Sequence, residues 1–198
     1  MAFILWLGLV AAGYSRLLKY SFRDGGATAA PRTLPLSLAG GTPLERPQIF
    51  LALHPRCPCS RATMHELEKI LTRAPNRADV TVLMFQPAAV SASWTEGALL
   101  DECRRLNCRI RPDPDGALAS SLGSLTSGAL VLYDASGHLR YRGGITSARG
   151  HEGDNPGASA VIEVLTGLRE SLSSMPVFGC PISELQTNSV PAPASAGL

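Results

Sequence analysis

Two cysteines one residue apart, Cys57-Pro58-Cys59, stand between two patterns that the fold has to join. The run Ile49-Phe50-Leu51-Ala52-Leu53 ends directly before His54-Pro55-Arg56 and is apolar without alternation, the pattern of a strand buried on both faces. From Ser60 onward Met64, Leu67 and Leu71 recur at helical spacing, and His65, Glu66, Glu68 and Lys69 are expected mostly on the wet side. The two thiols are therefore expected at a strand-to-helix corner. Unpaired N–H groups and the helix dipole favour an anion at a helix start, and a thiolate is such an anion.

The rest of the chain supplies further elements. Val80-Thr81-Val82-Leu83-Met84-Phe85 is a second apolar run, so residues 49–85 predict a parallel βαβ unit. Ser93 and Glu96 have capping-box spacing and predict a helix with Leu99, Leu100, Cys103 and Leu106 on its apolar face. Cys103 reads as a small core hydrophobe. Cys108 opens an extended piece reaching Arg111, and Pro112-Asp113-Pro114-Asp115-Gly116 reads as a turn. Ala129-Leu130-Val131-Leu132-Tyr133 predicts a third strand, Asp134-Ala135-Ser136-Gly137 a hairpin turn, and residues 138–142 a returning edge strand with His138 exposed. A polar loop, 146–155, then leads to Asn155-Pro156, an N-cap and N1 pair for a helix striped by Val161, Val164, Leu165 and Leu168. Phe178-Gly179-Cys180-Pro181 lies in the tail, whose Pro/Ala-rich end is expected to be disordered.

Residues 2–14 carry no charge and are mostly apolar, and Arg16 and Lys19 interrupt the continuation to Tyr20. A membrane span needs about 20 apolar residues, so spanning requires these two side chains to snorkel. Residues 1–22 are read as a membrane anchor or signal segment. The uncleaved anchor is preferred, because no basic residue precedes the run and the small-residue site Ala27-Thr28-Ala29 lies well downstream. Residues 23–46 then read as a flexible linker, 47–172 as the domain and 173–198 as an extension carrying Cys180. Orientation draws two opposing arguments. Arg16, Lys19 and Arg23 follow the apolar run, which by the positive-inside rule points that side to the cytoplasm; the cysteine chemistry favours the other side. A net charge of +2 without a basic stripe argues against a nucleic-acid partner, and no phosphate-binding loop is present. Five cysteines leave at least one unpaired within the chain.

The order strand, Cys-bearing helix, strand, helix, hairpin, helix resembles the thioredoxin fold over residues 47–172: α/β, with a central mixed sheet flanked by helices, here preceded by an N-terminal hydrophobic segment. The segments His54-Pro-Arg-Cys57-Pro-Cys59-Ser-Arg-Ala62, Gly143-Gly-Ile-Thr-Ser-Ala-Arg-Gly-His151-Glu-Gly-Asp-Asn155 and Phe178-Gly-Cys180-Pro181 are together similar to the RedB-type membrane-anchored redox proteins. That resemblance implies a cell-membrane location with a periplasmic or otherwise extracytoplasmic domain, and partners that are protein thiols and disulfides of the cell envelope. Two departures stand out. Thioredoxin-like proteins carry Cys-x-x-Cys where this chain has a single intervening Pro58. They also place a cis-proline before the third strand, where this chain has Thr126-Ser127-Gly128.

Two chemistries fit the corner. In thiol-disulfide exchange, Cys57 is the accessible attacking thiolate, lowered by the helix start and by Arg56 and Arg61, and Cys59 resolves the mixed disulfide. Cys180 takes that resolving role if the tail folds back. A Cys-Pro-Cys disulfide closes a small stiff ring and is expected to be readily reduced. His54, Pro58, Arg56 and His151 are the supporting residues, and this oxidoreductase needs no cofactor. In the alternative, Cys57 and Cys59 with His54, His151 or Cys180 bind copper(I) or zinc for delivery, since soft thiolates and imidazoles suit both ions.

Overall fold

The computed structural model describes residues 1–39, 43–169 and 173–183. Its elements follow the chain as α1 (Ala2–Ser21), α2 (Leu36–Ala39), β1 (Gln48–Leu53), α3 (Cys59–Arg73), β2 (Asp79–Gln86), α4 (Ala98–Arg105), β3 (Arg109–Pro114), α5 (Ala117–Ser121), β4 (Ala129–Tyr133), β5 (Leu139–Gly144), α6 (Pro156–Leu165) and β6 (Ser173–Ser174). Among the described residues the strands form one sheet in the order β3-β2-β1-β4-β5-β6. β1 runs parallel to β2, with Ile49 opposite Val80 and Leu53 opposite Met84, and antiparallel to β4, with Phe50 opposite Val131. β4 and β5 form the hairpin: the Gly137 N–H donates to the Asp134 carbonyl, and the Asp134 side chain accepts from the Ser136 and His138 N–H groups. A parallel β1-α3-β2 unit beside an antiparallel hairpin, with helices flanking a mixed sheet, is the thioredoxin-like arrangement.

Side chains alternate across a strand, and this period divides the core in two. Ile49, Leu51, Leu53, Val82, Met84, Leu130 and Leu132 face a cluster closed by Met64, Leu67 and Ile70 of α3, Leu100 and Cys103 of α4 and Val161 and Leu165 of α6. Fully burying a side chain of this size contributes about 2 kcal/mol. Cys103 is fully buried there, its Sγ 4.0 Å from Met64 Sδ. Phe50, Ala52, Leu83, Phe85, Val131 and Tyr133 point to the opposite face. The cover on that side comes from Ala119 and Leu122 around α5, from Ile182 of the tail and from Ala30, Leu34 and Leu38 of the N-terminal segment.

That second face explains why much of the 23–46 stretch, expected as a flexible linker, lies along the domain instead. Thr28 N–H donates to the Gly123 carbonyl, Leu34 N–H to Gly137 and Leu139 N–H to Arg32, and the Tyr133 hydroxyl donates to the Pro31 carbonyl at 3.0 Å. The sheet face would be wet without this cover. α1 has the length and composition of a membrane-crossing helix and none of it is buried; a signal sequence passes the same test.

Three further expectations change. Ser93 belongs to a 3₁₀ turn (Ala92–Thr95) without a side-chain cap, Glu96 follows it in extended conformation, and α4 starts only after Gly97, whose φ of 139° breaks the path. The 112–116 turn begins late, because Pro112 and Pro114 lie within β3 at the edge of the sheet. There a missing N–H costs no ladder bond. Asp113 is buried and its carboxylate caps α5, accepting from the Leu118 and Ala119 N–H groups. Leu168 is 80% exposed, because α6 ends at Leu165. The Pro/Ala-rich end of the tail falls outside the described residues.

Glu66 is the largest departure. Expected on the wet face of α3, it is only 2% exposed. Loop 146–155 folds over it, and its carboxylate accepts from the Gly153 N–H (2.7 Å), the Asn155 amide (3.4 Å) and Lys69 Nζ (2.7 Å). Asn155 in turn caps α6 by accepting from the Ala158 N–H at 2.7 Å. Removing the carboxylate strands buried donors, so Glu66→Ala is expected to cost about 2 kcal/mol, read as a lowered urea midpoint at unchanged slope. A midpoint equal to that of the unaltered chain would show that the loop is held by other contacts.

Candidate active site

The corner begins as a tight turn. Cys57 N–H donates to the His54 carbonyl at 3.0 Å and Ser60 N–H to the Cys57 carbonyl at 3.1 Å. Pro58 already has helical angles, φ −64° and ψ −25°, and Cys59 is the first residue of α3. Cys57 therefore lies just outside the helix, and the Cys59 N–H of its first turn points back at the sulfur. Ser127 ties this corner to the loop before β4: its Oγ accepts from the His54 N–H at 2.9 Å and lies 2.9 Å from Ser60 Oγ.

The tail supplies the third thiol. Residues 177–182 cross the corner as a strap, antiparallel to the loop before β4. Ser127 N–H donates to the Cys180 carbonyl at 2.8 Å, Ile182 N–H donates to the Leu125 carbonyl at 2.9 Å, and Thr126 bridges Pro181. Gly179 lies flush against that loop, where an added Cβ would stand 2.0 Å from the Ser127 carbonyl oxygen. Ile182 is buried in the second core cluster and anchors the strap beyond the site. Cys180 thereby reaches Cys57 with both its thiol and its backbone N–H.

The three thiols sit in unequal surroundings. Burial pushes Cys57 up, but the Cys180 thiol, the Cys180 and Cys59 N–H groups and the Ser60 hydroxyl all favour its anion and outweigh burial, so Cys57 is lowered. Cys59 is raised by burial and by its neighbour Cys57, against the opposing pull of the Arg149 charge and the Gly150 N–H. Cys180 is pushed up to about 12 by burial and by its place beside Cys57 and Cys59. Of the three, Cys57 is the one prepared to be a thiolate. Cys103 and Cys108, pushed up to about 12 and about 11 chiefly by burial, stand apart as inert core thiols. All five cysteines are unpaired.

The structure thus brings together Cys57, Cys59 and Cys180, with Pro58 shaping the turn. The other expected residues have contacts of their own. Cys57 is 5% exposed rather than accessible, because the strap covers it. One flank of it lines a groove shared with Arg61 and with Leu99 and Glu102 of α4. Arg56 lies over the Trp94 ring, 4.6 Å from its centroid. His54 stacks on Phe85 at 5.0 Å and meets Trp94 edge-on, and its Nδ1 accepts from the Arg56 N–H. His151 is exposed. Among the described residues no three His, Cys, Asp or Glu groups converge so as to hold a metal ion.

Ser60, Ser127, Arg149 and Gly150 were not singled out from sequence. Arg149 and Gly150 stand two and one residues before His151, in the loop that the sequence did mark. The identity of the residue turned inward depends on how Glu66 clamps that loop, which no local pattern encodes.

No family model matches this chain, and no curated protein matches it. The structure is similar to a hypothetical protein from Sinorhizobium meliloti 1021, at 21% identity and TM-score 0.54, over 82% of this chain and 94% of that one. It is similar to an uncharacterized conserved protein from Geobacillus kaustophilus at 16% identity and TM-score 0.55, with the same coverages of 82% and 94%. A weaker likeness, TM-score 0.44 at 14% identity over 65% of this chain and 86% of that one, is to a secreted Mycobacterium tuberculosis disulfide oxidoreductase described as homologous to E. coli DsbE. At these identities the likeness speaks to the fold alone.

The unequal surroundings give a direct expectation. In site-resolved iodoacetamide labelling against pH, Cys57 is expected to titrate below a free thiol, whose midpoint is about 8.5, and Cys180 well above it. The reverse order would contradict the hydrogen bonding described above.

Proposed function

We propose that this chain is a membrane-anchored thiol-disulfide exchange protein of the cell envelope, related in kind to the RedB-type proteins, with Cys57 as the attacking thiolate. The observation that carries the reading is the placement of the Cys180 thiol and N–H on the lowered Cys57 sulfur. An exchange centre needs a populated thiolate and a second thiol within reach of the same sulfur. The single-residue spacing of Cys57 and Cys59 is relieved by this arrangement, because Cys180 offers Cys57 a partner outside the small Cys-Pro-Cys ring.

The step balances as follows. Cys57 thiolate attacks one sulfur of a partner protein's disulfide; the Cys57–partner bond forms, and the partner's second sulfur leaves with the electron pair. Cys180, once deprotonated, attacks Cys57 sulfur; the Cys57–Cys180 bond forms and the partner's first sulfur leaves as a thiolate. The partner disulfide is reduced to two thiols and this chain is oxidised by two electrons. The same steps run in reverse for a partner dithiol. Cys59 is the alternative resolving thiol. The strap must part from the loop before β4 for a partner to reach Cys57, and Ser127 N–H and the Leu125 carbonyl are then free to receive the partner's extended backbone.

Equilibration of the full chain in a glutathione redox buffer, followed by peptide mapping, tests this reading. A Cys57–Cys180 disulfide is expected to appear and to vanish in Cys57→Ser, while Cys180→Ser is expected to accumulate a mixed disulfide of Cys57 with glutathione. Absence of any Cys57 disulfide across the whole range of potentials would end the proposal.

The envelope placement rests on α1 as anchor and on the redox compartment in which such a centre works. It sets the thiol chemistry above the charge pattern of Arg16, Lys19 and Arg23. Alkaline phosphatase fused after the last residue is expected to be active in intact bacteria, and an inactive fusion with normal expression would place the domain in the cytoplasm.

A further inference from the structure

Arg149 is held by three contacts that converge on the thiols. Its guanidinium donates to the Gly179 carbonyl, one residue before Cys180, and lies over the Tyr20 ring of α1 at 5.1 Å. Its backbone N–H donates to the Ser21 carbonyl, the last residue of α1, at 3.0 Å. The next residue, Gly150, turns its N–H to the Cys59 sulfur, and the Arg149 charge acts on Cys59 and Cys180 alike. Arg149 Nε is buried without a hydrogen-bond partner among the described residues. A buried donor lacking an acceptor is costly, and negative charge arising on a nearby sulfur offsets part of that cost.

We propose that Arg149, positioned by the foot of α1, is the residue that stabilises the thiolate forms of Cys59 and Cys180 during exchange; this rests on the exchange reading above. When Cys59 thiolate attacks Cys57 sulfur in a Cys57–Cys180 disulfide, the Cys57–Cys59 bond forms. The Cys57–Cys180 bond breaks with its electron pair going to Cys180, and no net oxidation occurs. The negative charge thus leaves one sulfur influenced by Arg149 and arrives on another influenced by the same guanidinium. A planar fork of five donors can hold the Gly179 carbonyl and still present fixed N–H groups to the sulfurs, whereas an ammonium has three donors on one flexible nitrogen.

The foot makes α1 part of this device rather than a mere appendage. Besides Tyr20 and Ser21, Phe22 meets Phe178 edge-on with ring centroids 6.5 Å apart, Asp24 accepts from the Val177 N–H at 3.0 Å, and Gly25 N–H donates to the Val177 carbonyl at 2.8 Å. The strap carrying Cys180 and the loop carrying Arg149 are therefore bound to the same few residues at the end of α1. The other titratable groups around the cluster are Cys57 on the corner, Arg56, Arg61 and Glu102 lining the groove beside it, Asp24, already engaged by Val177, and the exposed His151 on the loop.

The test compares the reduced full chain in detergent with Arg149→Gln, Arg149→Lys and Tyr20→Leu, using site-resolved alkylation across the pH range and thermal melting in parallel. Arg149→Gln is expected to lower labelling of Cys59 and Cys180 at neutral pH about tenfold, the size of a one-unit upward shift in thiol pKa. Arg149→Lys is expected to restore part of that loss, and Tyr20→Leu to cause a smaller loss of the same sign. A merely structural Arg149 would change the melting temperature and leave both pH midpoints in place. Unmoved midpoints in Arg149→Gln, or an Arg149→Lys no better than Arg149→Gln, would overturn the proposal. Failure of the exchange reading shows separately, as absence of any Cys57 disulfide in the unaltered chain in glutathione buffer.

Discussion

The antiparallel contact between the strap and the loop before β4 decides which thiols meet. Two backbone hydrogen bonds, Ser127 to Cys180 and Ile182 to Leu125, fix the register of the tail against the corner. A slip of one residue would turn the Cys180 side chain to the other side of the strap. Gly179 permits the close approach, and Ile182 anchors the far end in the second apolar cluster. The electrostatics follow from this geometry. Cys57 is buried, which alone would keep it protonated, yet the donors gathered around it reverse the sign.

The same contact gathers hydrogen-bond donors around one sulfur, that of Cys57. His54 has an aromatic neighbourhood, stacked on Phe85 and edge-on to Trp94, and His151 is exposed. Arg149 brings a fixed positive charge beside Cys59 and Cys180, which favours their thiolates.

Much of the frame was legible because it is local. The unbroken apolar runs became β1, β2 and β4, the Asp134–Gly137 turn closed the hairpin, and Asn155-Pro156 capped α6. The corner could be located because a strand pattern and a helix pattern abut there. What stayed hidden depends on contacts distant in sequence. Glu66 has the helical phase of a surface residue and is buried only because a loop some ninety positions away folds over it. The stretch after α1 has linker composition, yet it covers a sheet face that has no long helix of its own. Arg149 gains its place from Gly179 and the end of α1 together, and neither lies near it in the chain.

The edge strand β3 carries a last consequence. Asp115 N–H donates inward to the Gln86 carbonyl at 2.9 Å, and donors alternate sides along a strand, so positions 112 and 114 point their backbone nitrogens away from the sheet. Both are prolines, so of the outward positions 110, 112 and 114 only Ile110 brings a donor to an incoming strand. Two of the three donors that a further strand would need are missing from this rim, which disfavours growth of the sheet by another copy of the chain at that border.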